Sequence, residues 1–270
     1  MSDTLQMNDT VLSNGTVITN DVILSSTDLC KTFTVGKVSQ QVLIDLDLEI
    51  YREDFTIIMG SSGAGKSTLL YALSGMDKPT SGKIHFCDEE ISGYSPDKLA
   101  VFRRKNCGFV FQQVYLMESM SVLDNILACV LLVSRDRQAL IRKAKDLLLQ
   151  VELDELLWSK FPSQLSGCEA QRAAVIRAVI NDPAIVFADE PTGSLNSTYG
   201  AAVLDVLTEM NERGQSIIMV THDLKSALRG NRIIYLKDGV ICGECQLGKY
   251  TSEDRRRSEQ LNAFLGDMGW

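Results

Sequence analysis

Apolar residues in this chain fall into two rhythms. Phe55-Thr-Ile-Ile-Met59, Ala184-Ile-Val-Phe-Ala188, Ser216-Ile-Ile-Met-Val220 and Arg232-Ile-Ile-Tyr-Leu236 are short, nearly unbroken apolar runs, the pattern of strands buried on both faces. Elsewhere the spacing is helical. Leu140, Ile141, Ala144, Leu147, Leu148 and Val151 share one helix face, Ala173, Ile176 and Ile180 mark a second helix, and Val203, Leu204, Leu207 and Met210 mark a third. Another helix opens at Ser67 and stops near Gly75. Buried strands alternating with helices predict an α/β fold with a mostly parallel sheet covered on both sides. A strand-rich region starts at Val22–Phe33. Residues 1–20, polar and without period, read as a flexible tail, leaving 21–270 as one domain. Thr251-Ser-Glu-Asp254 reads as the start of a helix over roughly 251–266, with Leu261, Phe264 and Leu265 as its docking face.

Composition narrows the function. With 35 acidic against 27 basic residues the net charge is −8, a poor basis for displacing counterions from nucleic-acid phosphates. The longest apolar run, Ile126–Val133, falls well short of the ~20 residues of a spanning helix. The N-terminus lacks the basic-then-apolar order of a secretion signal. The expectation is a cytoplasmic chain without membrane insertion of its own, reaching the inner face of the cell membrane only through a partner. Seven scattered cysteines do not suggest a disulfide framework, and Cys242-Gly-Glu-Cys245 has no second pair to complete a zinc site. Cys242 and Cys245 read as two ordinary cysteines near a strand end.

The chemistry begins at Gly60, Ser61, Ser62, Gly63, Ala64, Gly65, Lys66, Ser67 and Thr68, which contain the spacing G-x-x-x-x-G-K-[ST] between a strand and a helix. Glycines let the backbone wrap a phosphate chain with its N–H groups turned inward, and the helix start adds positive potential. Lys66 would reach the β- and γ-phosphates and Ser67 would ligate Mg²⁺. The apolar run 184–188 ends in Asp189 and Glu190. Behind a phosphate loop, this pair reads as a Mg²⁺-holding carboxylate followed by a base for the attacking water.

Leu165-Ser-Gly-Cys-Glu-Ala-Gln-Arg172 then resembles the LSGGQ-type signature of ATP-binding cassette ATPases. Its distances from Lys66 and Asp189 are similar to those of that family, and the resemblance covers Val22 to about Cys245. It implies a cassette fold: a mostly parallel core sheet, an N-terminal antiparallel β portion, and an inserted helical subdomain at roughly 95–178. It implies ATP and Mg²⁺ as ligands. Gln112 would reach the metal, His222 would contact the γ-phosphate, and Phe33 would stack on adenine, although a core aromatic is the alternative at that position. Gln113 competes with Gln112, which directly follows the apolar Phe109-Val-Phe111. Ser166, Gly167, Cys168 and Glu169 would touch the nucleotide held by a second cassette chain.

Ser74-Gly-Met-Asp-Lys-Pro-Thr-Ser-Gly82 and Asp189-Glu-Pro-Thr-Gly193 are similar to the macrolide-exporter, lipoprotein-release and bacitracin-type peptide-resistance class. That class implies a paired ATPase beneath a separate permease, with antimicrobial-peptide or related export as one function. Val114–Asn125 would form part of the permease dock, where Met117 and Met120 suit either an adaptable groove or a core. Two departures stand out: Cys168 where the family has glycine, and Asn196 where it usually has aspartate. A Cβ and thiol at Cys168 are expected to crowd a tight backbone approach, so that Cys168→Gly raises turnover. A nucleic-acid-directed soluble cassette and a non-hydrolysing nucleotide gate are the rival readings. The cargo, its direction and the identity of the second chain stay open.

Overall fold

The computed structural model describes residues 10–11, 17–18, 21–131, 136–193, 195, 197–252 and 254–270. In the leader expected to be a loose tail, β1 (Thr10–Val11) pairs antiparallel with β2 (Val17–Ile18); its remainder, like Asn196, lies outside the described residues. There follow β3 (Val22–Val35), β4 (Val38–Tyr51), β5 (Phe55–Met59), α1 (Lys66–Leu73), β6 (Ser81–Phe86), β7 (Glu89–Glu90), α2 (Pro96–Asn106) and β8 (Cys107–Phe111). Then come α3 (Val122–Val130), α4 (Arg137–Gln150), α5 (Glu155–Trp158), α6 (Gly167–Val179), β9 (Ile185–Asp189), α7 (Ser197–Glu212) and β10 (Ser216–Val220). The chain closes with α8 (Leu224–Ala227), β11 (Arg232–Lys237), β12 (Val240–Gln246) and α9 (Arg255–Asp267).

The core sheet has the order β12-β11-β5-β10-β9-β8. Its pairings are parallel except at the β12 edge. The four apolar runs are its inner strands, and their two-residue period divides them between two cores. Ile57, Met59, Val186, Ala188, Ile217 and Met219 face a helical layer built from α3, α4, α6, α7 and α9. Ile58, Phe187, Ile218, Val220, Ile234 and Leu236 face α1 and the antiparallel sheet β4-β3-β6-β7. A strand buried on both faces has no room for alternating polar residues, which is why these runs are continuous in the sequence.

The region expected to be helical, roughly 95–178, holds α2 to α6 but is broken by β8, which joins the core sheet beside β9. A five-residue apolar strand flanked by helical patterns carries too little periodicity to stand out. The last helix begins later than expected: Asp254 caps α9, accepting from the N–H groups of Arg256 and Arg257. Its predicted docking face holds, with Leu261 and Leu265 buried and Phe264 packed beside them.

Candidate functional site

Three parallel strands end at one edge of the core sheet, where open α/β sheets bind ligands. β5 runs into Gly60, β9 into Asp189 and Glu190, and β10 into Thr221 and His222. The turn after β5 is closely packed. A Cβ at Gly60 would lie 2.1 Å from the Leu236 carbonyl oxygen, so no other residue fits. Gly65 caps α1 at φ +100, a left-handed geometry costly for L side chains. It rests on Val42 of β4. Between them Ser61, Ser62 and Gly63 are exposed and Ala64 is buried, leaving an open rim ahead of Lys66, Ser67 and Thr68 at the start of α1.

Lys66 is buried, and its ammonium donates to the carbonyls of Gly60 (2.8 Å) and Ser61 (2.9 Å). Burial pushes its pKa below the usual lysine value, while the charges of Glu190 and Asp189 pull it back up. The group is thus held across the loop with two carboxylates nearby, ready to exchange carbonyl partners for phosphate oxygens. The Ser67 hydroxyl donates to one Asp189 oxygen at 2.8 Å. The Tyr71 hydroxyl donates to the other at 2.5 Å, and burial, with that contact to the carboxylate, raises the Tyr71 pKa. Tyr71 carried no motif signal. Its one clue was its place a single helical turn after Ser67, on the same face of α1.

Asp189 and Ser67 offer hard oxygen ligands beside the loop, which fits Mg²⁺. Among the described residues no group of three or more His, Cys, Asp or Glu side chains is arranged to hold a metal by itself. A cation held mainly by one carboxylate, one hydroxyl and substrate phosphates matches that donor set.

Glu190 has φ +46, a strained conformation for a non-glycine residue. Its N–H is held by the Val220 carbonyl at 3.0 Å, and its own carbonyl accepts from Gly193 N–H at 3.0 Å. Its carboxylate meets His222, whose Nδ1 lies 2.7 Å from Oε2 and 2.8 Å from Oε1. Next to the histidine, Asp223 caps the short helix α8 through Ser226, whose hydroxyl also meets that of Thr192 at 3.2 Å. Gln112 lies against the same turn: a Cβ on Gly193 would sit 2.8 Å from its amide nitrogen. This distinguishes it from the neighbouring Gln113. A cavity of about 910 Å³ opens alongside, lined by Glu190, Thr192, Thr221, His222, Arg229 and Arg257 among others.

Phe33 is 44% exposed, so the core-aromatic alternative fails. It pairs with Gln40 on β4, two residues before the Val42 that touches Gly65, and so flanks the phosphate loop. The Lys31 ammonium sits 4.9 Å from its ring. Met117 is also exposed, at 54%, which removes the core reading for that residue.

The signature segment stands apart. Ser166 caps α6 in a reciprocal box with Glu169: Glu169 N–H donates to Ser166 Oγ at 3.3 Å, and Ser166 N–H and Oγ donate to Glu169 Oε2 at 2.7 and 2.8 Å. These bonds hold the Glu169 carboxyl below the usual glutamate pKa. Gly167 packs near Leu195. Among the described residues no hydrogen bond or ion pair joins residues 166–169 to residues 60–67. Cys168 overturns an expectation. Its side chain is only 4% exposed and points into the chain, with Sγ 3.9 Å from the Tyr199 carbonyl oxygen on α7. A helix directs successive side chains around its axis. The burial of Cys168 shows that its place on that turn faces inward, so the thiol does not crowd the outer surface.

The chain is also similar to known proteins. Residues 43–193 match the family described as ABC transporter. The uncharacterized ABC transporter ATP-binding protein MJ1508 of Methanocaldococcus jannaschii is 40% identical over 218 residues, 81% of this chain and 97% of that protein. The lipoprotein-releasing system ATP-binding protein LolD of Idiomarina loihiensis is 38% identical over 219 residues, 81% of this chain and 96% of its own. Among solved structures, a dimeric post-hydrolysis state of the ATP-binding cassette MJ0796, bound to ADP and Pi, superposes with a TM-score of 0.77. It is 35% identical, and the match covers 84% of this chain and 100% of that one.

Proposed function

The chain belongs to the ABC transporter family as an ATP-binding cassette ATPase, and from that premise we propose that two cassettes close on ATP to drive a separate permease. Glu190, in contact with His222 at 2.7 Å beside Lys66, Ser67 and Asp189, is the observation that carries this reading. Lys66 binds the β- and γ-phosphates, and Phe33 stacks on the base. When bound, Mg²⁺ would neutralise charge on the phosphate oxygens; Ser67, Asp189 and Gln112 are its ligands in this reading. Glu190 takes a proton from the water that attacks the γ-phosphorus, and the bond from that phosphorus to the bridging oxygen breaks to leave ADP and phosphate. His222 orients Glu190 and contacts the γ-phosphate. Ser166 and the backbone of Gly167, Cys168 and Glu169 complete the site of the opposite chain. Their separation from the loop of their own chain supports that arrangement.

Among the described residues no helix is long and apolar enough to cross a membrane. Together with the family, this supports a cytoplasmic cassette held at the inner face of the cell membrane by its permease, with no nucleic-acid partner. Val114–Asn125, with Met117 exposed, is the proposed permease contact. The cargo lies within the peptide, macrolide and lipoprotein group, antimicrobial-peptide export included, and the permease selects it.

The test is steady-state ATP hydrolysis across protein concentration, beside Glu190→Gln and with nucleotide binding measured in parallel. Turnover per chain that rises with concentration and vanishes in Glu190→Gln supports the proposal. Turnover independent of concentration rejects the paired site, and retained turnover in Glu190→Gln rejects the assigned base.

A further inference from the structure

Arg257 is 3% exposed yet belongs to no motif. Its guanidinium reaches from α9 to a set of backbone carbonyls on two separate segments. Nε donates to Leu228 O at 2.7 Å and Nη2 to Gly230 O, both just past α8. Nη1 donates to Leu247 O and Gly248 O at 2.9 Å each and to Lys249 O at 3.3 Å, just past β12. The Tyr250 ring lies between Arg257 (5.7 Å) and Arg229 (4.5 Å). Arg229 in turn ion-pairs with Asp205 of α7 at 2.6 Å.

The segment so held leads straight to the catalytic edge. α8 spans only Leu224–Ala227. A single turn forms one or two backbone bonds for all the torsions it fixes, so it does not hold its own shape; its ends decide where it sits. Asp223 ties the first end to Ser226, which meets Thr192 beyond Glu190. Arg257 ties the other end, because Leu228 is its C-cap residue. His222 immediately precedes Asp223. Gly230 is meanwhile pressed onto β5, where a Cβ would fall 2.2 Å from Ile57. That contact leaves Arg257 facing a loop already braced from behind.

We propose that Arg257 is a positioning residue for catalysis: through α8 it sets where His222 meets Glu190, so α9 is part of the ATPase mechanism rather than a cover for the sheet edge. The inference rests on the proposed role of His222.

The chain has two histidines, His85 and His222, so selective ¹³C labelling of histidine gives two imidazole signals, assigned with His85→Gln. Arg257→Lys keeps the charge but cannot reach carbonyls on both segments. At a temperature where it is fully folded, it should lower kcat about tenfold with KM for ATP within twofold, as expected for a misplaced catalytic group. The His222 signal should shift or broaden. Arg232→Lys is the control. It loosens another buried arginine, bound to Glu244 and the Glu49 carbonyl, and should lower Tm while leaving the His222 signal and kcat in place. An unchanged kcat and an unchanged His222 signal in Arg257→Lys overturn the inference. So does an equal response in Arg232→Lys, because the effect is then general loosening. If His222→Ala itself keeps full turnover, the role of His222 fails, while the signal still reports whether Arg257 positions it. Should Arg257→Lys not fold, Tyr250→Leu, which removes the ring beside the guanidinium, is read by the same signal and the same kcat-against-KM split, with the same outcomes deciding.

Discussion

Replacing Cys168 by glycine restores the residue usual in the family, and the structure reverses the outcome that the sequence suggests. The thiol is buried against α7 and does not reach the outer surface. Removing it strips one buried methylene and one sulfur, worth about 1.6 kcal/mol at roughly 0.8 kcal/mol per buried CH₂ with the sulfur taken as comparable. Glycine in the first turn of α6 adds up to about 0.5–1 kcal/mol of backbone entropy. The sum, about 2 kcal/mol, corresponds to a fall in Tm of roughly 4–8 °C in a chain of this size. Thermal unfolding followed by circular dichroism measures that fall, and hydrolysis at 25 °C should stay within twofold of the parent. Cys168→Ala keeps the Cβ and a good helix former, so its loss should be about half as large. A several-fold rise in turnover with Tm unchanged would refute the reasoning, because the thiol would then obstruct the site from outside.

Other perturbations probe the remaining contacts. Tyr71→Phe deletes the hydroxyl that holds Asp189 at 2.5 Å; at about 1 kcal/mol for one hydrogen bond, a magnesium titration of activity and of nucleotide binding should move several-fold to higher concentration. An unmoved titration rejects a role for Tyr71 at the metal site. Phe33→Ala should raise KM for ATP at least about fivefold, from the ~1–3 kcal/mol that base stacking contributes, and leave kcat alone; a change confined to kcat contradicts stacking. Glu244 gives a pH signature. Burial pushes its carboxyl up, but the hydrogen bonds and charge of Arg232 outweigh burial and leave it below the usual 4.5. A depressed folded-state pKa stabilises above the unfolded value and is lost as pH falls through the folded value. The Tm gap between the parent and Glu244→Gln should therefore be present at pH 7 and close below about pH 4; a gap that persists in acid excludes the ion pair as its source.

The sequence by itself determined what adjacent residues can settle. The phosphate loop was legible because its function is carried by consecutive backbone groups, with glycines at fixed offsets and Lys66 and Ser67 at the end. The inner strands were legible because burial on both faces leaves unbroken apolar runs; Asp189 and Glu190 followed from their place directly after such a run, and His222 from the resemblance to the cassette family. The tertiary structure decided what depends on direction and on distant neighbours. Tyr71 meets Asp189 across 118 positions of sequence, and no local pattern records that meeting. Cys168 looked like an obstruction until the turn of α6 pointed its side chain inward. β8 was hidden among helices because five residues show only an apolar run, and its pairing with β9 gives it an identity. Arg257 belongs to no sequence motif; only the convergence of two chain segments on its guanidinium made it a buried hub. A motif records the residues that chemistry places side by side, whereas packing brings together residues whose separation along the chain is arbitrary, and only the folded backbone fixes those pairs.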